Sequence, residues 1–311
     1  MTERVRPKPF LVLNGIDGGN PLGFLAALGT ALVAGCFCEG VRLHWCVDSG
    51  HWRPSLTGVD GDEARFIADL LDTLRSVSMR AFEIDDKLPF SVESLRTNLE
   101  EVRATVGPDD RRTADFLAAF GSEVGSDKDV FQDSRFRMVR SGDSAGQGLP
   151  AYARDIRNKT DAKALHSTLF SQWHYKDEGF SLRWDPVEDQ RYALRWRDPS
   201  KSGTKDGPGT MIGANSLAIE ALQWYPTALQ GNRVATTGFH RNANGETWFT
   251  WPIWDRPISL DVIRSLVALP DLHVTNPPRA QLARRGIVEI YRSQRIQQNQ
   301  YYSNFTSARP A

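Results

Sequence analysis

Cysteine is scarce in this chain: Cys36, Cys38 and Cys46 are the only three among 311 residues. An odd number in a chain this long offers no disulfide framework and suits a reducing compartment. No apolar run reaches the roughly 20 residues that span a bilayer. The opening Met1–Phe10 is charged and broken by proline, unlike a secretory signal. A cytoplasmic protein without membrane contact is therefore expected. Net charge is also missing, with 38 Lys+Arg against 38 Asp+Glu, which excludes a uniformly basic or acidic polymer-like chain. Signature motifs of catalysis are absent as well. There is no Gly-x-Ser-x-Gly, no His-Glu-x-x-His and no phosphate loop ending in Gly-Lys-Ser/Thr. His174 and His240 stand without a catalytic partner in sequence. These absences predict a chain that is not an enzyme and holds no cofactor.

What is present is unevenly distributed. Residues 1–129 carry 14 basic and 21 acidic side chains, whereas 130–311 carry 24 basic and 17 acidic. Arginine dominates the cations, 30 against 8 Lys. Its planar fork of donors matches phosphate oxygens and guanine edges and stacks on bases, so an Arg-rich half with many aromatics points toward nucleic acid. An Arg preference imposed by genome composition, with an acidic lobe docked on a basic one, is the competing reading.

The periodicity predicts a mixed α+β fold with largely antiparallel sheets, packed helices and a helix-rich insertion between about 60 and 125. An acidic lobe over 1–140, a basic β-rich lobe over 150–296 and a frayed polar tail over 297–311 are expected. Pro9–Gly15 reads as a short buried strand, and Gly15–Gly23 as a glycine turn into a helix. Asn20 is a good N-cap and Pro21 suits the first helical position. The following residues to Phe37 are small and apolar, as in a helix buried on nearly all sides. Strands are expected at Val41–Val47, Trp52–Leu56 and Arg135–Arg140, with a boundary loop at 141–148. Helices are expected at Asp62–Val77, Ser91–Val102, Arg111–Phe120, Asp161–Trp173, Ala214–Trp224 and Ser259–Leu269. Further strands are expected at Arg233–Phe239, Thr247–Ile253 and Gly286–Arg292.

Two constellations fail as chemistry. The glycine loop lacks Gly-x-Gly-x-x-Gly spacing, which leaves a structural turn with close helix packing. Cys36, Cys38 and Cys46, with His44 and His51, lack the paired knuckles of structural zinc and read as buried thiols; no metal is expected. The second half is different because its pattern repeats. Phe180–Pro186 and Tyr192–Pro199 share Leu-Arg-Trp; as a hairpin they would bury Leu182, Trp184, Leu194 and Trp196 and turn Arg183, Arg195 and Arg197 outward. The polar loop that follows adds Lys201 and Lys205. Arg233, Arg241, His240 and the group Arg284, Arg285, Arg292, Gln294 and Arg295 extend the donor set. Arg183, Arg195, Arg197, Lys201, Lys205, Arg233 and Arg241 are the expected backbone contacts.

The stretch Leu13-Asn14-Gly15-Ile16-Asp17-Gly18-Gly19-Asn20-Pro21-Leu22-Gly23-Phe24-Leu25-Ala26-Ala27-Leu28-Gly29 resembles the opening of proteins of type I-G (formerly I-U) CRISPR systems. His51-Trp52-Arg53-Pro54 and Leu217–Pro226, followed by Thr237-Gly238-Phe239 and Phe249–Trp254, are similar to the same family. The quoted residues number 40 of the 311. The resemblance implies a subunit of a crRNA-guided surveillance complex, similar to its large target-engaging subunit or to an accessory module of the helicase-nuclease. It implies contact with target DNA or crRNA, with the PAM-proximal duplex, with other effector subunits and with the helicase-nuclease. None of the matched motifs contains a catalytic residue. A protein–protein scaffold whose Arg side chains meet a partner's carboxylates is the alternative, and an enzyme with an unrecognised site is a third.

Overall fold

A computed structural model of the chain describes residues 10–105, 107–126, 129–138, 148–188, 209–297 and 303–311. Strand β1 (Phe10–Val12) leads through the glycine turn into α1 (Pro21–Ala34), and β2 (Arg42–Asp48) and β3 (His51–Thr57) form a hairpin. Helices α2 (Glu63–Ser76), α3 (Arg80–Glu83), α4 (Val92–Ala104) and α5 (Pro108–Phe120) fill the expected insertion. Short strands β4 (Gly121–Ser122) and β5 (Gln132–Asp133) precede α6 (Leu149–Lys159), α7 (Ala162–Phe170) and α8 (Ile212–Ala221). The remainder runs β6 (Thr227–Gln230), β7 (Arg233–Thr236), β8 (Phe239–Arg241), β9 (Thr247–Trp254), β10 (Ile258–Ser259) and α9 (Leu260–Val267). It closes with α10 (Arg279–Arg284), β11 (Ile287–Gln297), β12 (Ser303–Phe305) and β13 (Arg309–Pro310). The fold is α+β, with small antiparallel sheets against packed helices. One sheet has the order β1-β3-β2-β10; the other runs β12-β11-β9-β8, with β13 also on β11.

The N-terminal turn is built as its residues dictate. Asp17 Oδ1 accepts from the Gly19 amide at 2.9 Å, and Asn20 Oδ1 accepts from the Gly23 amide at 3.1 Å. A Cβ on Gly23 would lie 2.4 Å from the Asp17 carbonyl oxygen, so close packing fixes this glycine. Asn20 also donates to the buried Asp185, whose carboxyl burial pushes to a higher pKa. Asn20→Ala is therefore expected to cost about 1–2 kcal/mol, measurable as a lower urea midpoint with an unchanged slope.

Helix α1 is buried along almost its whole length and α8 along all of it. They meet with no side chain between them at Gly29, where a Cβ would lie 1.8 Å from the Leu217 carbonyl oxygen. Phe24 of α1 stacks on Trp45 at 5.7 Å and meets Trp251 and Trp254 at 5.9 and 6.3 Å. Two of these indoles have their N–H groups satisfied, Trp251 donating to the Gly18 carbonyl and Trp254 to that of Leu43, whereas the buried Trp45 Nε1 has no acceptor among the described residues. A second ring cluster surrounds Phe136, with Trp184, Tyr225, Phe239 and Phe249 all edge-on to it. The main apolar core runs from Leu11 to Phe305, and Leu272, Leu282, Ile287 and Ile290 form a small separate cluster. Elements from either side of residues 141–148 share that core and, through β2 and β10, one sheet.

Several expectations need correction. Residues 135–138 are not a strand: the Arg135 and Phe136 amides donate to Thr236 Oγ1 and Ser134 Oγ, which replaces a ladder with side-chain acceptors. The first arm of the expected Trp hairpin is irregular. The Leu182 amide donates to Asn215 Oδ1, Arg183 has a φ of +61°, and Pro186–Glu188 is a single 3-10 turn. Leu182 and Trp184 are buried nonetheless. The second arm, with Leu194, Arg195, Trp196 and Arg197, and the loop with Lys201 and Lys205 lie outside the described residues, as does most of 141–148.

Helix α7 stops at Phe170, and the Trp173 indole donates back to the Thr168 carbonyl. The expected strand 233–239 is split by Gly238, whose φ of +83° sends β7 and β8 into different sheets. Residues 303–311 of the expected tail do not fray, because Asn304 and Phe305 are fully buried on β12, where Phe305 stacks on Phe249 at 5.4 Å; 298–302 lie outside the described residues. The cysteines are not buried thiols: Cys36 is exposed and Cys38 half-buried just beyond the end of α1, and Cys46 is half-buried on β2. No described helix is long and apolar enough to cross a membrane.

Candidate nucleic-acid interface

The two faces of the second sheet divide the last strand's polar residues. On β11, Arg295 points inward with Phe305 and is consumed structurally, its Nε and Nη2 donating to the Arg135 and Arg137 carbonyls at 2.9 and 3.0 Å. Arg292 lies on the other face, opposite Thr250 of β9 and opposite Arg309 of β13. His240 of β8 sits opposite Trp248 on that same face. Because partners directly across antiparallel strands share a face, the pairing gathers His240, Trp248, Arg292 and Arg309 on the outer surface. The segment carrying Thr275 borders them, leaving a cleft of about 350 Å³.

The electrostatics of this cleft are unusual. Arg292 is only 9% exposed. Its Nη1 donates to the Thr275 carbonyl at 2.8 Å and its Nη2 to that of Val274, which fixes the plane of the guanidinium. Arg309 lies over the Trp248 ring, 4.5 Å from its centroid, in a cation–π contact. Among the described residues no carboxylate stands within ion-pair distance of Arg292 or Arg309. The nearby acids are engaged elsewhere: Glu246 accepts from Asn242 Nδ2 at 2.6 Å, and Glu289 pairs with Arg279 at 2.9 Å. The Ala311 oxygen at the rim is likewise taken, by Arg279 Nε at 3.1 Å. Burial and the charges of Arg309 and Arg279 lower the Arg292 pKa, yet a guanidinium remains charged at neutral pH. Burial, Arg292 and His273 together push His240 down to about 4. His273 is pushed down by burial and by Arg292, against the Val267 carbonyl it contacts. This cluster of groups repels its own protons.

The expected contacts fall around this cleft unevenly. Arg241 is exposed beside His240, with its Nε donating to the Gly245 carbonyl at 2.9 Å, which closes the β8–β9 turn. Arg233 is exposed at the start of β7 on a separate hairpin, and Arg183 occupies the left-handed turn above; neither lines the cleft. Arg195, Arg197, Lys201 and Lys205 are outside the described residues. Sequence reasoning missed Trp248 and Arg309 as site residues. Arg309 stood in the segment read as frayed, and Trp248 was one of many core-like tryptophans. The signal that points to the face is the period of two along β11 and β9, applied with the register.

No protein-family model matches this sequence, and comparison with curated proteins gives no match.

Proposed function

We propose that the chain is a non-enzymatic nucleic-acid-binding subunit of a type I crRNA-guided surveillance complex. In this reading the basic sheet face and neighbouring cations hold target DNA or crRNA, and the helical first part meets other subunits and the helicase-nuclease. The resemblance of 13–29 to type I-G CRISPR proteins supports the assembly. The single observation that carries nucleic-acid binding is the outer cleft, where Arg309 lies over the Trp248 indole and Arg292 stands opposite Arg309, without a described carboxylate to neutralise them. Phosphate oxygens are the acceptors this arrangement lacks, and Arg forks and aromatic faces are what single strands and unpaired bases use. Arg183, Arg195, Arg197, Lys201, Lys205, Arg233 and Arg241 extend the contact to the backbone outside the cleft.

Co-expression with the neighbouring genes of its operon, followed by affinity purification, tests the assembly. Recovery in a stable complex with a short, uniform crRNA is expected; recovery alone, without RNA or partner, would overturn it. Binding itself is tested by titrating oligonucleotides across a salt series. The Arg195→Ala, Arg197→Ala double variant is expected to weaken binding of all sequences and to flatten the salt slope by about one unit for each phosphate that is no longer neutralised. An unchanged slope removes those two residues from the interface.

A further inference from the structure

We infer that the outer cleft takes a phosphate monoester at the end of a nucleic-acid strand, an inference that rests on the nucleic-acid-binding reading above. Three observations carry it. The first is size: about 350 Å³ fits one nucleotide and not a length of duplex. The second is charge. Arg292 and Arg309 are directly opposite each other across β11 and β13, an arrangement in which like charges repel. An internal phosphodiester brings one negative charge to this pair, whereas a terminal monoester brings close to two and balances both. The third is an orphaned donor. Arg292 is buried and two of its nitrogens are committed to carbonyls, but its Nε has no acceptor among the described residues. A charged donor in that position is costly unless an anion meets it.

The remaining walls suit the same ligand. Asn242 and Thr275 border the cleft with neutral polar groups, and the uncharged His240 ring faces it with Nδ1 3.4 Å from Thr250 Oγ1. A dianion placed between the two guanidinium groups would favour protonation of His240 and gain a third donor. Trp248 carries Arg309 on its face, so the open side of that guanidinium is available to stack a terminal base.

The test compares short, internally labelled single strands of DNA and RNA that differ only at their ends: a 5′-phosphate, a 3′-phosphate, or hydroxyls at both. Fluorescence anisotropy with the full chain at fixed salt is expected to show about tenfold tighter binding for one phosphorylated end, the scale of one added charge-assisted contact. Arg309→Gln, at an exposed position on a short edge strand, is expected to erase that preference, so that phosphorylated and hydroxyl-ended strands bind with equal and weakened affinity. Arg292→Gln should do the same, with its circular dichroism checked because Arg292 also holds the 274–275 segment. Equal affinity for phosphorylated and hydroxyl ends overturns this inference and leaves the proposed function standing. Absence of binding to any strand overturns both. Adenosine monophosphate or inorganic phosphate binding as tightly as the phosphorylated strand would identify a small free phosphate as the ligand and overturn the strand-end assignment.

Discussion

Glu220→Ala is expected to destabilise the fold by about 3–5 kcal/mol, the range found when one partner of a buried ion pair is removed. Glu220 is 1% exposed near the end of α8. Its carboxylate accepts from Arg112 of α5, with Nη2 to Oε1 at 2.8 Å and Nη1 to Oε2, and from Arg157 Nη2 of α6. Both arginines are tied further, Arg112 Nε to the Ser78 carbonyl at 2.9 Å and Arg157 Nη1 to that of Leu74. One carboxylate thus links three helices and the end of a fourth. Removing it strands two guanidinium groups where water does not reach. Urea denaturation of the single variant measures the loss, and a drop below about 1 kcal/mol would place the triad nearer the surface class of ion pairs. A triple variant, Arg112→Met, Arg157→Met and Glu220→Leu, is expected to recover most of the loss, because apolar groups of similar volume carry no desolvation cost.

The same carboxylate sets an acid limit. Burial alone would raise its pKa, but the charges of Arg112 and Arg157 outweigh burial and hold it at about 2. A carboxylate depressed in the folded state contributes stability that is complete above the unfolded value, near 4.3, and disappears as pH falls toward the folded one. The urea midpoint is therefore expected to fall between about pH 4.5 and 2 for this reason. His240 acts earlier and in the same direction. Its folded pKa of about 4 lies below the usual histidine value, so the unfolded chain binds the proton first and stability begins to fall below about pH 6.5. A His240→Asn variant should shrink the upper part of that decline, leaving the shares of His273 and His44, which burial also pushes down, and keep the lower part.

Gly29→Ala is the second large effect, and its sign runs against helix propensity. In an exposed helix interior this change gains about 1 kcal/mol. Here a Cβ would lie 1.8 Å from the Leu217 carbonyl oxygen and 2.6 Å from the carbonyl carbon, backbone atoms of α8 that have no rotamer to change. The two helices must separate, and the rings packed on both sides must move with them. A net loss of about 3 kcal/mol is expected, at the upper end of overpacking in dense cores. An unchanged or raised melting midpoint would mean that α1 and α8 do not touch at this point. The added methyl would also sit 3.3 Å from the Glu220 Cβ, so the losses from Gly29→Ala and Glu220→Ala should not add.

Much of the architecture can be read from local pattern because its signals are local. The turn at Asp17–Pro21, the small-residue helix after it, the hairpin over 42–57 and the insertion helices each carry their own caps and periodicity. The candidate site shows where such reading stops. Arg292 and Arg295 are three residues apart on one strand, so the period of two puts them on opposite faces. Which face is core depends on β9 and β12, which the strand's own residues do not reveal. Arg309 looked like part of a polar tail because 306–311 has no hydrophobic period; its place is set by pairing with β11. Over 135–138 the expected strand failed for the same reason, since the Arg135 amide is satisfied by Thr236, distant in sequence.

By itself, then, the sequence determined the α+β class, the buried α1 with its glycine contacts, the excess of arginine over lysine, and the surplus of cations in the second half. Those depend on side-chain size, backbone freedom and composition, which are properties of neighbouring residues. Only the tertiary structure decided which arginines are spent inside, as Arg112, Arg157 and Arg295 are, and which are left facing an open cleft without a counter-charge among the described residues. That distinction depends on the register of strands and the crossing of helices far apart in the chain, because a charge is neutralised by what lies near it in space.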